Sequence, residues 1–509
     1  MPAISRLLLF VYEGNMKFYI TTPIYYINGS PHIGHAYASI AADIIARFKR
    51  LDGYDVRFCT GTDEHGIKVA SSAEKAGINV QEYSDKASQP FRDMAAKINV
   101  SNDDFIRTTE ERHIKSAQAL WKLLEKDLYK GKYVGWYDPR DETFVAEADI
   151  VDGKAPSGGT VEWMEEESYF FKLSAYQDKL LKYYEDNPEF IAPVTRRNEI
   201  ISFVKSGLRD LSVSRSKFSW GIPVPGDENH VMYVWIDALA NYITSVGFPD
   251  NLQNVNEMMA ECVHIVGKEI LRFHAVYWPA FLMSAGLPLP KRIFAHGWWT
   301  SEGQKMSKSI GNVVDPIDMI EKYGLDQIRY FLFKAVRFGE DGDFSEDGLR
   351  DRISYELAND LGNLVQRVLA FIQKFDGKFT ADYNFSNEEQ ALVSEAHNLI
   401  PEMRKHIDVQ NIYMALDAVW KLISNSNKFV ADQKPWELAK QQSPKLNSVL
   451  TALVEAIRAI AFGIAPFMPD TANKIFGFIQ ADGKSFNEID TRLTDMNLTP
   501  PSPLFPREK

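Results

Sequence analysis

Cysteine is nearly missing. Cys59 and Cys262 are the only two among 509 residues, which excludes a disulfide framework and leaves too few thiols for a thiolate zinc site. The pair fits a reducing, cytoplasmic setting. Long apolar runs are also missing: no stretch reads as the roughly 20 apolar residues of a membrane span, so no membrane partner is expected. The opening "MPAISRLLLFVYEGN" carries one Arg and an apolar run too short for a signal core. Organised patterning begins at "MKFYITTPIYY", so Met16 is a second possible start. Positive charge is in deficit as well. A net charge of −12 argues against non-specific nucleic-acid binding. One local exception runs from Thr195 to Lys217, where Arg196, Arg197, Lys205, Arg209, Arg215 and Lys217 face only Glu199 and Asp210. It reads either as a solvated face or as a local basic surface.

What is present is ordinary globular material, with 45% hydrophobic and 25% charged residues. "KFYITTPIYY" is rich in β-branched and aromatic residues and predicts a strand. After the turn "NGS", Ser30 is the expected N-cap and Pro31 the first helical residue. "HIGHAYASIAADIIARFKRL" then has helical spacing, and "DVRFCTG" reads as the next strand. Strand, helix, strand in succession predicts a doubly wound parallel sheet of Rossmann-like type. From Trp121 to Ser219 turn residues and short strands dominate, as in an insertion. The alternation returns in "HVMYVWIDALANYI", "ECVHIVGKEILRFHAVYWPAFL" and "RIFAHGWW". From Asp351 strands cease, and three long amphipathic patterns predict an antiparallel helical bundle. The expected division is 1–120 and 220–350 for an α/β catalytic domain, 121–219 for the insertion splitting it, and 351–509 for an all-α bundle. No internal repeat or low-complexity tract is evident.

Two stretches carry chemistry. In "SPHIGHAY", His32 and His35 share one face of a helix's first turn, beyond the carboxyl end of the first strand, where doubly wound sheets bind ligands. A helix N-terminus suits phosphate, and Gly34 leaves backbone bare for a flat ring. A metal half-site and a pair of surface histidines are the alternatives. In "TSEGQKMSKSIGNVVDP", Lys305 and Lys308 flank Ser307 in a Ser/Gly-rich loop. Compact ammonium charges suit phosphate and the loop composition suits closure over a substrate, while a solvated loop is the plain alternative.

In this order the two stretches resemble the His-Ile-Gly-His and Lys-Met-Ser-Lys-Ser motifs of class I aminoacyl-tRNA synthetases. "FYITTPIYYINGSPHIGHAY", "TGTDEHG", "MYVWIDALANYI", "HIVGKEILRFHAVYWPAFL" and "KMSKSIGNVVDP" resemble the methionyl-tRNA synthetase family more closely, over nearly all of the chain from Met16. The resemblance implies that methionine attacks the α-phosphate of Mg2+-bound ATP, giving an adenylate and pyrophosphate, and that the methionyl group then passes to tRNA(Met). It implies phosphate contacts for His32, His35, Lys305 and Lys308, and nucleotide contacts for Gly34, Gly267, Lys268, Glu269 and Ser307. It implies a methionine pocket of Ile24, Tyr26, Asp63, Trp235, Ala238, Leu239, Tyr242 and His274. Asp63 would pair with the ammonium, and Tyr242 or His274 would offer sulfur a hydrogen bond. Asn363, Arg367 and Trp436 would read the anticodon, and Arg215 would face the active site or the surface.

The chain departs from the family at some positions. Leu239 stands where many members have proline, and Glu269 where some have aspartate. Asp138 and Asp141, with Ala155, replace zinc-knuckle cysteines, so no structural zinc is expected and the aspartates read as exposed turn residues. The chain ends soon after the bundle, which predicts a monomer. A class I synthetase for valine or leucine, a small-molecule nucleotidylyltransferase and a non-catalytic RNA-binding relative are the rival readings. The insertion is short for an editing domain, the bundle is superfluous to a nucleotidylyltransferase, and both phosphate motifs are intact.

Overall fold

The computed structural model describes residues 16–138, 143–145, 147–156, 158–306 and 312–505. In chain order the elements that build the site are β1 (Lys17–Tyr26), α1 (Ile33–Leu51), β2 (Asp55–Asp63), β3 (Asp104–Arg107), α2 (Glu111–Leu124), β4 (Leu128–Asp138), β5 (Glu162–Phe171), β6 (Ile191–Ala192), α3 (Val234–Thr244), β7 (Cys262–Gly267) and β8 (Arg292–His296). Six of the strands form one parallel sheet in the order β3-β2-β1-β7-β8-β6. Its central strands are apolar on both faces: every residue of "CVHIVG" and "RIFAH" is buried, as helices on both sides of a parallel sheet require. The chain leaves β1 toward β2 on one side and returns as β7 on the other. That reversal opens a crevice at the carboxyl ends of β1 and β7.

The insertion is smaller than the 121–219 expected from sequence. Trp121 is buried in α2, within the core, and β6 joins the main sheet through Ile293↔Ile191 and Phe294↔Ala192. A two-residue strand has no periodicity along the chain. The insertion's own sheet is antiparallel, built on the β4–β5 ladder from Leu128↔Phe171 to Tyr137↔Glu162. Asp138 is wholly buried there, not an exposed turn residue; Asp141 lies outside the described residues.

The bundle is formed by the helices Asn387–Ile407, Ile412–Gln433, Leu446–Ile464 and Pro469–Ile479. Strands do not cease at 351, because Lys378–Phe379 pairs with Met496–Asn497. Contrary to the expectation from sequence, one helix among the described residues, Leu446–Ile464, is long and apolar enough to cross a membrane, although it contains Glu455 and Arg458. That stretch is 94% buried within the protein, and the two charges bond each other at 2.5 Å. It is the bundle's core helix.

Helix α1 ties the two regions together. Its N-terminus lies at the crevice. Its other end meets the bundle through Lys49–Asp408 at 2.6 Å and through both Asp52 oxygens, which accept from Arg404 at 2.6 and 2.9 Å.

Candidate active site

The start of α1 corrects one expectation and explains the histidines. The helix begins at Ile33 and His32 is its N-cap, with Ser30 and Pro31 lying before it. His32 Nδ1 accepts from the Gly34 N–H at 3.1 Å, and His35 Nδ1 accepts from the His32 N–H at 3.1 Å. Two imidazoles thus do the work usually given to a serine and a glutamate in a capping box. An acceptor Nδ1 on a neutral ring leaves its proton on Nε2. Burial, and then the neighbouring His32, hold His35 well below the ordinary imidazole value. Both rings therefore present N–H donors away from the helix end, 3.9 Å apart between centroids. A Cβ on Gly34 would come within 3.0 Å of His32 Cε1, so the bare backbone keeps the imidazole in place.

These groups edge a cleft of about 700 Å³, within the usual range for small-molecule sites. His32, Gly34 and His35 come from α1, and Ile24 and Tyr26 from the end of β1. Asp63 comes from the end of β2, Trp235, Ala238, Leu239 and Tyr242 from α3, Gly267 from the end of β7 and Glu269 from just past it; His274 follows. Every residue expected to hold methionine lines this one cleft. Leu239, despite replacing proline, is buried on its wall. Met306 also lines it. The hairpin Trp299–Ser301 to Gln304–Lys305 brings the root of the lysine loop there by pairing Thr300 with Lys305. The Lys305 side chain, Ser307 and Lys308 lie outside the described residues.

Aromatic rings build the cleft's apolar end. Trp235 stacks on Phe273, and the Tyr242 ring lies 4.1 Å from that of His264. His274 sits on a π-helical turn, Phe273–Tyr277, a backbone form frequent at functional sites. Its Nδ1 lies 2.9 Å from the Ile270 carbonyl, and its Nε2 lies 2.7 Å from the Tyr242 hydroxyl. The carbonyl can only accept, so Nδ1 carries the proton and the Tyr242 hydroxyl donates to Nε2. Both hydrogens expected for sulfur are thus committed to protein partners, and the Tyr242 and Trp235 rings offer the kind of polarizable surface that suits a thioether.

Burial lowers His274 to about 4, against a weaker upward pull from the Ile270 carbonyl. A folded value below the ordinary 6.5 means that the folded chain binds this proton less readily than the unfolded chain. Its contribution is present above about 6.5 and is lost as the pH falls through about 4. In His274→Gln, the fall of stability between those limits should be shallower by about 1.4 kcal/mol per pH unit, as read by urea denaturation at stepped pH.

At the opposite end, sequence reasoning missed Trp298. It lines the cleft, donates its indole N–H to Glu269 at 2.6 Å and lies under the Lys268 ammonium at 4.1 Å. Lys268 in turn bonds both Asp341 oxygens at 2.6 and 2.7 Å. The available signal was the paired aromatic in "HGWW" directly after a strand. Arg215 is not a surface residue: it is buried, donates to Ser212 Oγ at 2.8 Å and covers the Tyr233 ring at 4.1 Å. Away from the cleft, Asn363 and Arg367 are exposed on the helix Asn363–Ile372. The Arg367 guanidinium lies 5.8 Å from the ring of Trp436, itself 37% exposed, so these three residues share one face.

Sequence comparison agrees with the geometry. The family described as tRNA synthetases class I (M) matches residues 18–162 and 145–369, and the anticodon binding domain of methionyl tRNA ligase matches residues 380–504. The chain belongs to the class I aminoacyl-tRNA synthetases. A methionine–tRNA ligase of Brucella suis is 51% identical over 503 residues, 96% of this chain and 98% of its own; one of Rickettsia conorii is 49% identical over 505 residues, 97% and 99%. A Mycobacterium tuberculosis methionyl-tRNA synthetase solved with methionyl-adenylate superimposes with a TM-score of 0.92 at 46% identity, covering 97% of this chain and all of that one. Within the class, then, the chain belongs to the methionyl-tRNA synthetase family. It is an enzyme that activates methionine with ATP and charges tRNA.

Proposed function

We propose that the cleft holds methionine and ATP end to end, with the α-phosphorus between them at the start of α1. The observation that carries this is convergence. The histidine pair, Asp63, the α3 aromatics, Glu269 and the root of the lysine loop all meet at the one place where the strand order reverses. Asp63 takes the ammonium, and Trp235, Ala238, Leu239 and Tyr242 enclose the side chain. The methionine carboxylate attacks the α-phosphorus, the bond to pyrophosphate breaks, and its electron pair leaves with pyrophosphate. His32 and His35 donate from Nε2 to oxygens whose charge grows in that step. Lys305 and Lys308 neutralise the departing pyrophosphate, while Mg2+ arrives with ATP as part of the substrate. Gly34, Gly267, Lys268, Glu269 and Ser307 seat the nucleoside and its phosphates. A tRNA terminal ribose hydroxyl then attacks the adenylate carbonyl and AMP leaves.

ATP–pyrophosphate exchange across a panel of amino acids tests this reading. Methionine alone supports exchange; exchange with valine or leucine instead, or with none, overturns it.

Asn363, Arg367 and Trp436 read the anticodon in the same proposal. Unpaired bases stack on exposed aromatic rings, each contributing about 1–3 kcal/mol. Trp436→Ala should therefore lower kcat/KM for tRNA about 5- to 150-fold and leave exchange within about two-fold. Equal losses in both assays contradict the assignment. We further propose a monomer in a reducing, cytoplasmic compartment, in keeping with two buried, unpaired thiols. The proposal includes no zinc site.

A further inference from the structure

One side chain on the pocket's own helix points away from the pocket. Asp237 lies between Trp235 and Ala238 on α3, yet its carboxylate is wholly buried and shared by two imidazoles. His65 Nδ1 lies 2.6 Å from Oδ2, and His113 Nε2 lies 2.8 Å from Oδ1. His65 stands two residues past Asp63. Its ring packs edge-on against Trp220 at 5.3 Å, and the Trp220 indole donates to the Glu64 carbonyl at 2.7 Å. His113 belongs to α2, behind α3, with Nδ1 3.3 Å from Thr244 Oγ1. Neither histidine lines the cleft, and the chemistry above uses neither.

We propose that the Asp237–His65 bridge fixes the length of the amino-acid pocket, making Asp237 and His65 positioning residues that set selectivity for the methionine side chain. The inference rests on the assignment of Asp63 to the ammonium. One end of the pocket is then the segment that carries Asp63 and His65. The other is α3, which carries Ala238, Leu239, Tyr242 and Asp237. The bridge joins these two walls directly, through a hydrogen bond between a carboxylate and an imidazole in a site shut off from water, where such bonds are short and strong. Methionine and its longer homologue differ by one methylene. An apolar pocket separates such a pair by about 10- to 200-fold, and only while its walls keep their spacing. The His113 arm differs in kind. It holds α3 from α2, which contributes no residue to the cleft, so it supports the helix without setting the distance between the walls.

The test is ATP–pyrophosphate exchange by the full chain with methionine and with ethionine, which is longer by one methylene. In His65→Gln and Asp237→Asn the ratio of kcat/KM for methionine to that for ethionine falls about 5-fold or more, while KM for ATP is unaltered. In His113→Gln the ratio stays within about two-fold and the loss appears in thermal stability. A merely structural bridge would reduce the active fraction, and with it both substrates alike, leaving the ratio fixed; that result in His65→Gln overturns the proposal. An equal shift in His113→Gln overturns it too. If Asp237→Asn does not fold, His65→Gln decides alone. Asp63→Asn keeps the underlying assignment distinguishable. An unchanged KM for methionine there removes the ammonium site and the bridge's role together, whereas a raised KM with intact discrimination in His65→Gln removes the bridge's role only.

Discussion

His35→Asn should fold as the parent chain does and lose about 10²- to 10³-fold in the kcat of methionine-dependent ATP–pyrophosphate exchange. The size follows from what the ring does at each nitrogen. Nδ1 accepts the His32 N–H at 3.1 Å, a structural bond that an asparagine side-chain oxygen can replace because it sits at nearly the same distance from the backbone. Nε2 carries the proton that the proposed mechanism directs at the reacting phosphate, and asparagine has nothing at that reach. His35→Gln inverts the trade. It places an amide N–H near the Nε2 position and weakens the cap, so it should retain about 10-fold more exchange than His35→Asn while melting earlier. Because burial and His32 keep His35 neutral well below the ordinary imidazole value, kcat in the parent chain should show no ionisation of this ring between about pH 6.5 and 8. Equal exchange in the two variants would mean that the ring serves the helix and not the phosphate.

Arg329→Ala should reduce stability by about 3–5 kcal/mol with little effect on KM for methionine. Arg329 is wholly buried and serves four partners. It donates to Asp43 Oδ2 at 2.6 Å, to the Phe467 carbonyl at 2.8 Å, to the Pro466 carbonyl at 3.0 Å and to the Ile98 carbonyl at 3.1 Å. It therefore joins α1, the segment before β3 and the turn after the bundle's core helix. Removing it takes one of two cations from the buried Asp43 carboxylate, which keeps Arg47 at 2.7 Å and Ser101 N–H and Oγ at 2.7 and 2.6 Å, and takes a donor from three buried carbonyls. Burial alone would raise Asp43, but Arg329 and Arg47 outweigh it and hold the carboxyl below the usual range. The sign follows. This stabilisation is present above the ordinary carboxylate value and drains as the pH falls below it, so the parent and the variant should converge in stability under acid. Urea midpoints at pH 7 and pH 3 measure both effects, and a variant equally far below the parent at both would contradict the ion-pair account.

Much of this was legible along the chain. β1 and α1 showed because their periods differ, and the histidine pair and the lysine loop stood out because the two stretches occur together in this order. The failures share a cause, which is dependence on groups distant in sequence. His32 as N-cap needed His35 to complete the box, and histidine is not among the usual capping residues. Ile191–Ala192 is a strand only because Ile293 and Phe294 lie beside it. Asp138 looked like a turn residue, since the ladder that buries it pairs Tyr137 with Glu162. Tyr242 and His274 looked available to sulfur, because nothing in "VWIDALANY" shows that each has the other for a partner. Trp298 needed Lys268, Glu269 and Asp341 around it before its position meant anything.

The central claim is that one cleft brings the α-phosphate to the two imidazoles while Asp63 and the α3 aromatics hold methionine. A crystal structure of the chain grown with methionine and Mg2+-ATP tests it most directly. The account predicts an adenylate whose phosphate oxygens lie about 2.7–2.9 Å from His32 or His35 Nε2, with its ammonium on Asp63 and its thioether between Trp235 and Tyr242. A nucleotide bound elsewhere, or a methionyl group turned away from α3, would contradict it.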